Sequence, residues 1–329
     1  MSKKMDWKQF LINYGIICVL GLLVLYTGIR RPKFFTPQNL RSIALNVAPR
    51  FIIAVGVSGC LITKGTDLSA GRLVGLAACI SGTLLQKPDY SGHFELTKNL
   101  PAFNVFLVLI FVMLFCALFG LINGLVVSYL SVPAFIGTLG MQLMVYGICL
   151  VYTDATPIGG YRNDYTYVAT GSFLGIPFLF WIALVVGLLM WFLYNMTPHG
   201  KYMYAIGGNE QAAEVSGVNV KRSKIIIYVM AAMLYALAGF LLGAKAGGTS
   251  VNMGNGYELE AIAACTIGGV SVNGGVGKVS GVLIGVLVFE LLKSAMQFLG
   301  LETNYQYIVQ GIVIIVSIAL DIRKYIAKK

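Results

Sequence analysis

Long apolar stretches recur along nearly the whole chain, separated by short polar breaks rich in glycine. About 20 consecutive apolar residues carry a helix across the hydrocarbon core of a bilayer. Ten stretches approach or reach that length, at about 10–29, 44–62, 73–85, 103–121, 135–152, 177–194, 225–243, 259–270, 279–298 and 307–320. The eighth is short and reads as a discontinuous or re-entrant segment. Eight full crossings with two re-entrant segments satisfy the same pattern. The expectation is an all-α polytopic membrane protein of about ten transmembrane helices, discontinuous or re-entrant segments included, forming one transmembrane domain over 1–329. Its parts are a tail over 1–9, six spans over 10–196, a polar loop over 197–224, four spans over 225–320 and a second tail over 321–329. The alternation of an outer-membrane barrel is absent.

The breaks carry their own signals. Residues 30–41 are basic and proline-marked and read as an external loop with a surface helix. Residues 63–72, TKGTDLSAGR, are a polar interruption too short to be a domain. Asn123-Gly124, Ser131 and Pro133 break the apolar run before the fifth span, and residues 153–175 form a long loop bearing tyrosines. Five spans on either side of the 197–224 loop would make an internal repeat inverted, a common transporter plan. The pieces GTDLSAGRLVGLAA (65–78) and NGGVGKVSGVLIGV (273–286) each lead from glycine into a small-residue helix start. They fall at different places in the span count, so their match leaves the repeat a suspicion.

Composition narrows the class. The chain has 329 residues, 57% hydrophobic and only 11% charged, against about 25% charged in soluble domains. Its 39 glycines fit close helix packing in lipid. The net charge of +11 belongs largely to loops and tails, and no nucleic-acid motif accompanies it. Lys3, Lys4 and Lys8, the tail DIRKYIAKK, and Lys201, Lys221, Arg222 and Lys224 place both termini and the 197–224 loop in the cytoplasm. Arg30, Arg31, Lys33, Arg41 and Arg50 then lie on or near the external side, against that bias. The first span lacks a small-residue cleavage site and reads as retained. The six cysteines form no CxxC or Cys/His cluster, so buried free thiols are expected rather than disulfides or metal.

The 197–224 loop is the longest polar run. Gly207-Gly208-Asn209 breaks the chain and 210–216 reads as two turns of helix. Asn209 suits the N-cap, Glu210 suits the positive end of the dipole, and Gly217 suits a left-handed C-terminal position. Ala212 and Ala213 give a small-residue face fit for a groove on a partner. An ordinary connector with a turn of helix has the same spacing.

Ionisable and polar groups within the spans are few, and each has two readings. Asp67 either caps the helix that follows it, with Lys64 or Arg72 as charge partner, or belongs to a pathway or gate with Ser69. Glu258 and Glu260 either favour the start of the short eighth helix or couple protons. Asn123, Thr138 and Gln142 either line a wet path for a neutral, hydroxyl-rich solute or hold helices together. Glu290 is the main acid in mid-span. No catalytic or metal constellation stands out. Gly277-Lys278 fails the phosphate-loop pattern because Val272 and Val279 replace its glycine and its Ser/Thr. No cofactor is expected on this chain.

The loop residues Glu210, Ala212, Ala213 and Gly217 resemble the EAA-type coupling loop of ABC importer permeases, the loop that docks on a cytoplasmic ATPase. Four stretches are similar to the ribose/galactose branch of these inner-membrane permeases. They are ITKGTDLSAGRLVGLAA (62–78), INGLVVSYLSVPAFIGTLG (122–140), AIGGNEQAAEVSGVNV (205–220) and YELEAIAACTIGGVSVNGGVGKVSGVLIG (257–285). Within the branch, Thr66 and Ala70 resemble the galactose/methyl-galactoside members, where ribose members more often read Ile and Val. The resemblance implies the permease subunit of an ATP-driven importer of galactose, methyl-galactoside or glucose, with ribose or another pentose as the alternative. It implies a permease homodimer in the bacterial cytoplasmic membrane, an ATP-binding subunit that carries the ATP, and a periplasmic or lipid-anchored sugar-binding protein that sets much of the specificity. An ion-coupled secondary transporter is the competing class; it requires coupling carboxylates within the spans.

Overall fold

The structure, a computed structural model, describes residues 7–98 and 100–326. Its helices in chain order are α1 (Trp7–Arg30), α2 (Pro37–Ile62), α3 (Ala70–Leu84), α4 (Val105–Ser128), α5 (Ala134–Thr153), α6 (Asn163–Thr170) and α7 (Phe178–Met196), then α8 (Pro198–Gly208), α9 (Glu210–Val215), α10 (Val220–Ala246), α11 (Tyr257–Ile267), α12 (Val279–Phe298) and α13 (Thr303–Ile326). Among the described residues the only sheet is a hairpin pairing Ser172–Phe173 with Ile176–Pro177. Seven helices among the described residues are long and apolar enough to cross a membrane: α2, α4, α5, α7, α10, α12 and α13. With α1 and the short α3 and α11, every expected span has its helix. The chain is an all-α polytopic membrane protein.

The boundaries follow local chemistry. Asn104 accepts the Phe106 amide at the start of α4, and Asn219 accepts the Arg222 amide at the start of α10. Gly247, at φ +69°, closes α10. Three boundaries take a more definite form. Residues 30–41 hold a separate one-turn 3-10 helix (Pro32–Phe35) and then the start of α2 itself, which begins at Pro37 with proline in its first turn. Helix α4 runs straight through Asn123-Gly124: the Asn123 amide is bonded to Ser69, and a Cβ on Gly124 would come within 2.7 Å of the Ile225 Cα. The break falls instead at residues 129–133. Helix α1 starts at Trp7 and α13 continues to Ile326, so residues 7–9 and 321–326 of the expected tails are helical; the residues beyond lie outside those described.

Cross-links between helix ends fix the relative direction of α2, α4, α10 and α12. At one end Gly275 donates to the Ile62 carbonyl (2.8 Å), Tyr204 donates to the Gly277 carbonyl (2.9 Å), and Gly124 lies against Ile225. The close of α2, the start of α12, the close of α4 and the start of α10 therefore gather around α8. At the opposite end Phe34 meets Phe298, Lys245 reaches the Leu45 carbonyl, and Ile158 pairs with Thr249. Helices α2 and α10 thus run antiparallel.

A reciprocal packing pattern follows. Helix α3 packs on α10, and α11 packs on α2; α4 packs on α10, and α12 packs on α2. The units α2–α5 and α10–α13 are related in this way, in opposite senses, as an inverted repeat. The pieces that correspond are the turns 63–69 and 247–256, which follow α2 and α10. The 273–286 segment, likened to 65–78 on sequence, sits one element later. Glycine in both segments reflects tight packing rather than equivalence.

Each corresponding turn folds back into the bundle before its short helix begins. The start of α3 meets the 247–256 turn and the start of α11, since a Cβ on Gly71 would overlap the Gly254 carbonyl and the Glu258 carboxylate. Only glycine allows backbones to approach so closely.

Candidate functional site

The buried polar residues named from sequence converge at the start of α3. Asp67 is only 1% exposed, and its Oδ1 accepts the Ser69 amide (3.0 Å) and hydroxyl (2.6 Å). Asn123 donates to the Ser69 hydroxyl at 3.0 Å. The Thr138 hydroxyl accepts the Leu68 amide (3.0 Å) and lies 3.0 Å from the Thr66 carbonyl and 2.8 Å from that of Ala134. One turn onward, Glu258 lies against Gly71, and Gln142 donates to it at 3.3 Å. Six residues from the turn before α3 and from α4, α5 and α11 thus gather around the start of α3. Among the described residues, Asp67 Oδ2 and Glu258 Oε2 have no hydrogen-bond partner.

The expected charge partners of Asp67 are engaged elsewhere. Lys64 reaches the Gly208 carbonyl at 3.5 Å. Arg72 donates to Asn255 (2.9 Å) and to the Val251 carbonyl (3.3 Å), with its guanidinium 4.0 Å from the centre of the Tyr146 ring. The direction of α3 explains this, because its first turn carries Arg72 toward the 247–256 turn. Asp67 therefore relies on neutral donors.

A second buried cluster escaped sequence reasoning as a unit. Arg50, inside α2, pairs with Glu260 at the start of α11 and, at 3.2 Å, with Glu290 on α12; Lys293 pairs with Glu260 as well. The Arg50 guanidinium also lies 4.9 Å from the centre of the Tyr257 ring. Arg50, expected within the second span, thus belongs to an internal network joining the two repeats. A small cavity of about 20 Å³ lies beside these charges, lined also by Tyr257, Ala261 and Phe289. The signal available was the two cations and the acid inside apolar runs: Arg50, Glu290 and Lys293 need partners in lipid.

The 197–224 loop contains more helix than expected. Helix α8 precedes α9, opened by Thr197, which accepts the Gly200 amide at 3.1 Å, and by Pro198. Gly207 and Gly208 therefore end a helix, and the break falls at Asn209. Asn209 caps α9 by accepting the Ala212 amide (3.0 Å), and Glu210 pairs with Lys224 at 2.7 Å. Gly217, at φ +87°, reverses the chain after Ser216, whose hydroxyl bonds the Ala212 carbonyl. Ala213 points inward onto Ile206 and Val220. The outward face is Gln211, Ala212, Glu214, Val215 and Ser216, with Val215 90% exposed. The expected small-residue face is thus divided: Ala212 faces outward, and Ala213 anchors the helix.

Residues 39–318 match the family described as the permease component of branched-chain amino acid transport systems. The chain belongs to this permease family. It is 41% identical to the galactose/methyl galactoside import permease protein MglC of Escherichia coli K12, over 99% of this chain and 98% of that one. It is 40% identical to the MglC of Haemophilus influenzae, over 98% of this chain and 96% of the relative. The ribose import permease protein RbsC of Escherichia coli K12 is 33% identical over 96% of both. No solved structure matches the chain. Both polar regions, around α3 and around α9, lie inside the matched span.

Proposed function

We propose that the chain is the membrane subunit of an ATP-driven importer of galactose or methyl galactoside. The carrying observation is the 41% identity over 99% of the chain to a galactose/methyl galactoside import permease, eight percentage points above the ribose permease of the same organism (41 − 33). The geometry of α9 supports the coupling role: a short helix, capped at both ends and anchored by Ala213, presents an open face with an apolar tip at Val215. An ATP-binding subunit docks on that face from the cytoplasm and carries the ATP. Both termini lie on the same side, in keeping with the basic residues there. A periplasmic or lipid-anchored sugar-binding protein delivers the sugar at the opposite end, and two copies of the chain form the path between them. Asp67, Ser69, Asn123, Thr138, Gln142 and Glu258 gather around the start of α3, so a rearrangement there would open or close that path.

The test is gentle purification of the tagged chain from native membranes, with identification of what accompanies it. A co-purifying Walker-motif ATPase, lost when Val215 is changed to aspartate, supports the reading. A chain that purifies alone and takes up sugar on an ion gradient overturns it.

A further inference from the structure

The ends of three segments meet at one backbone junction beside α9. Gly207 lies in the last turn of α8, two residues before the Asn209 cap. A Cβ there would overlap the Ile62 carbonyl oxygen, at the close of α2, and the Gly275 amide, in the loop leading to α12. Those two groups are themselves hydrogen-bonded at 2.8 Å. Gly274 and Gly275 both have positive φ, +83° and +73°. A Cβ on Gly274 would overlap the Lys64 side chain and come within 2.9 Å of the Gly207 carbonyl. The Tyr204 hydroxyl, one turn earlier on α8, holds the same loop through the Gly277 carbonyl at 2.9 Å. From the far side, Asp321 of α13 accepts the Ser271 hydroxyl and the Val272 amide, each at 3.0 Å.

We propose that this junction of Gly207, Ile62 and Gly275 transmits motion of α9 to both repeats at once. The inference rests on the importer reading and adds the route. Contacts between side chains can absorb a displacement by changing rotamer; backbone in direct contact with backbone cannot, because close-packed atoms transmit strain. A shift of α9 reaches Gly207 within two residues. From there it moves the end of α2, which leads through 63–69 into α3, and the start of α12. One element of each repeat is displaced by a single contact, and the two short helices α3 and α11 lie next in line. Gly207 is a positioning residue: it touches neither sugar nor nucleotide.

The experiment reconstitutes the full assembly, permease with its ATPase and binding protein, and measures ATP hydrolysed per sugar taken up. In Gly207→Ala the ATPase stays bound and hydrolyses ATP, while the ratio rises about tenfold or more, as for loss of a typical allosteric coupling. Gly21→Ala, where a Cβ on α1 meets nothing within 4 Å, keeps the normal ratio. Tyr204→Phe removes only one hydroxyl and raises the ratio by roughly fivefold, the equivalent of one hydrogen bond. Should Gly207→Ala fail to reach the membrane, Tyr204→Phe decides, and an unchanged ratio overturns the proposal. A bound ATPase and a normal ratio in Gly207→Ala overturn it alone. Absence of any ATPase on the unmodified chain removes the importer reading, and the route with it.

Discussion

Replacing Arg50 tests whether the buried ion network holds the two repeats together. Arg50 serves two carboxylates, and the side chains of Arg50 and Glu290 are 22% and 5% exposed. At 3.2 Å and an effective dielectric of about 20, the Arg50–Glu290 attraction is on the order of 5 kcal/mol before desolvation. Removing one partner of such a pair costs about 3 kcal/mol, because the other charge stays buried without compensation. Arg50→Met keeps most of the apolar stem and isolates that term. The double variant Arg50→Met/Glu290→Leu leaves Glu260 paired with Lys293 and no orphan charge, so it should recover about 2 kcal/mol of the loss. The assay is equilibrium unfolding of the purified protein in mixed micelles, followed by helical circular dichroism. A cost below about 1 kcal/mol for Arg50→Met, or a double variant no better than the sum of the two single changes, would refute the reasoning.

Three further predictions concern packing and charge. Gly71→Ala forces the start of α3 away from the 247–256 turn and should sharply lower the yield of folded protein, whereas Gly21→Ala should leave it unchanged; equal yields on a size-exclusion column would contradict that contact. Asp67→Asn keeps an oxygen for the Ser69 bonds and removes a buried charge, so its melting temperature should match or exceed that of the unmodified chain; a large loss would show that the charge itself is needed. Burial holds the His199 imidazole in α8 below its ordinary value of 6.5. Its contribution to stability is therefore full above about pH 6.5 and falls as pH drops below that value, because the unfolded chain takes up the proton first. His199→Gln should flatten that part of a melting-temperature profile, and an unaltered profile would place the dependence elsewhere.

The helices were legible in the sequence because lipid demands long apolar runs, and 279–298 was read to the residue. Breaks were harder. Asn123-Gly124 has the signature of a turn, yet it lies within α4, because Asn123 finds Ser69 and Gly124 makes room for Ile225. Asn209, Glu210 and Gly217 were readable since capping is local. The inward turn of Ala213 was not, because it depends on Ile206 and Val220 across two helices. The polar cluster at α3 was visible only as scattered residues between 67 and 258. Its assembly requires the fold-back of two turns, which no periodicity encodes. The partners of Arg50 were hidden for the same reason: Glu260 and Glu290 lie more than 200 residues away.

The most direct test of the transport assignment is uptake in proteoliposomes containing the chain, its ATPase and its binding protein. The account predicts ATP-dependent accumulation of radiolabelled methyl galactoside, competed by galactose and not by ribose, and lost when the face of α9 is altered by Val215→Asp. Accumulation that needs no ATP, or that ribose competes and galactose does not, would contradict it.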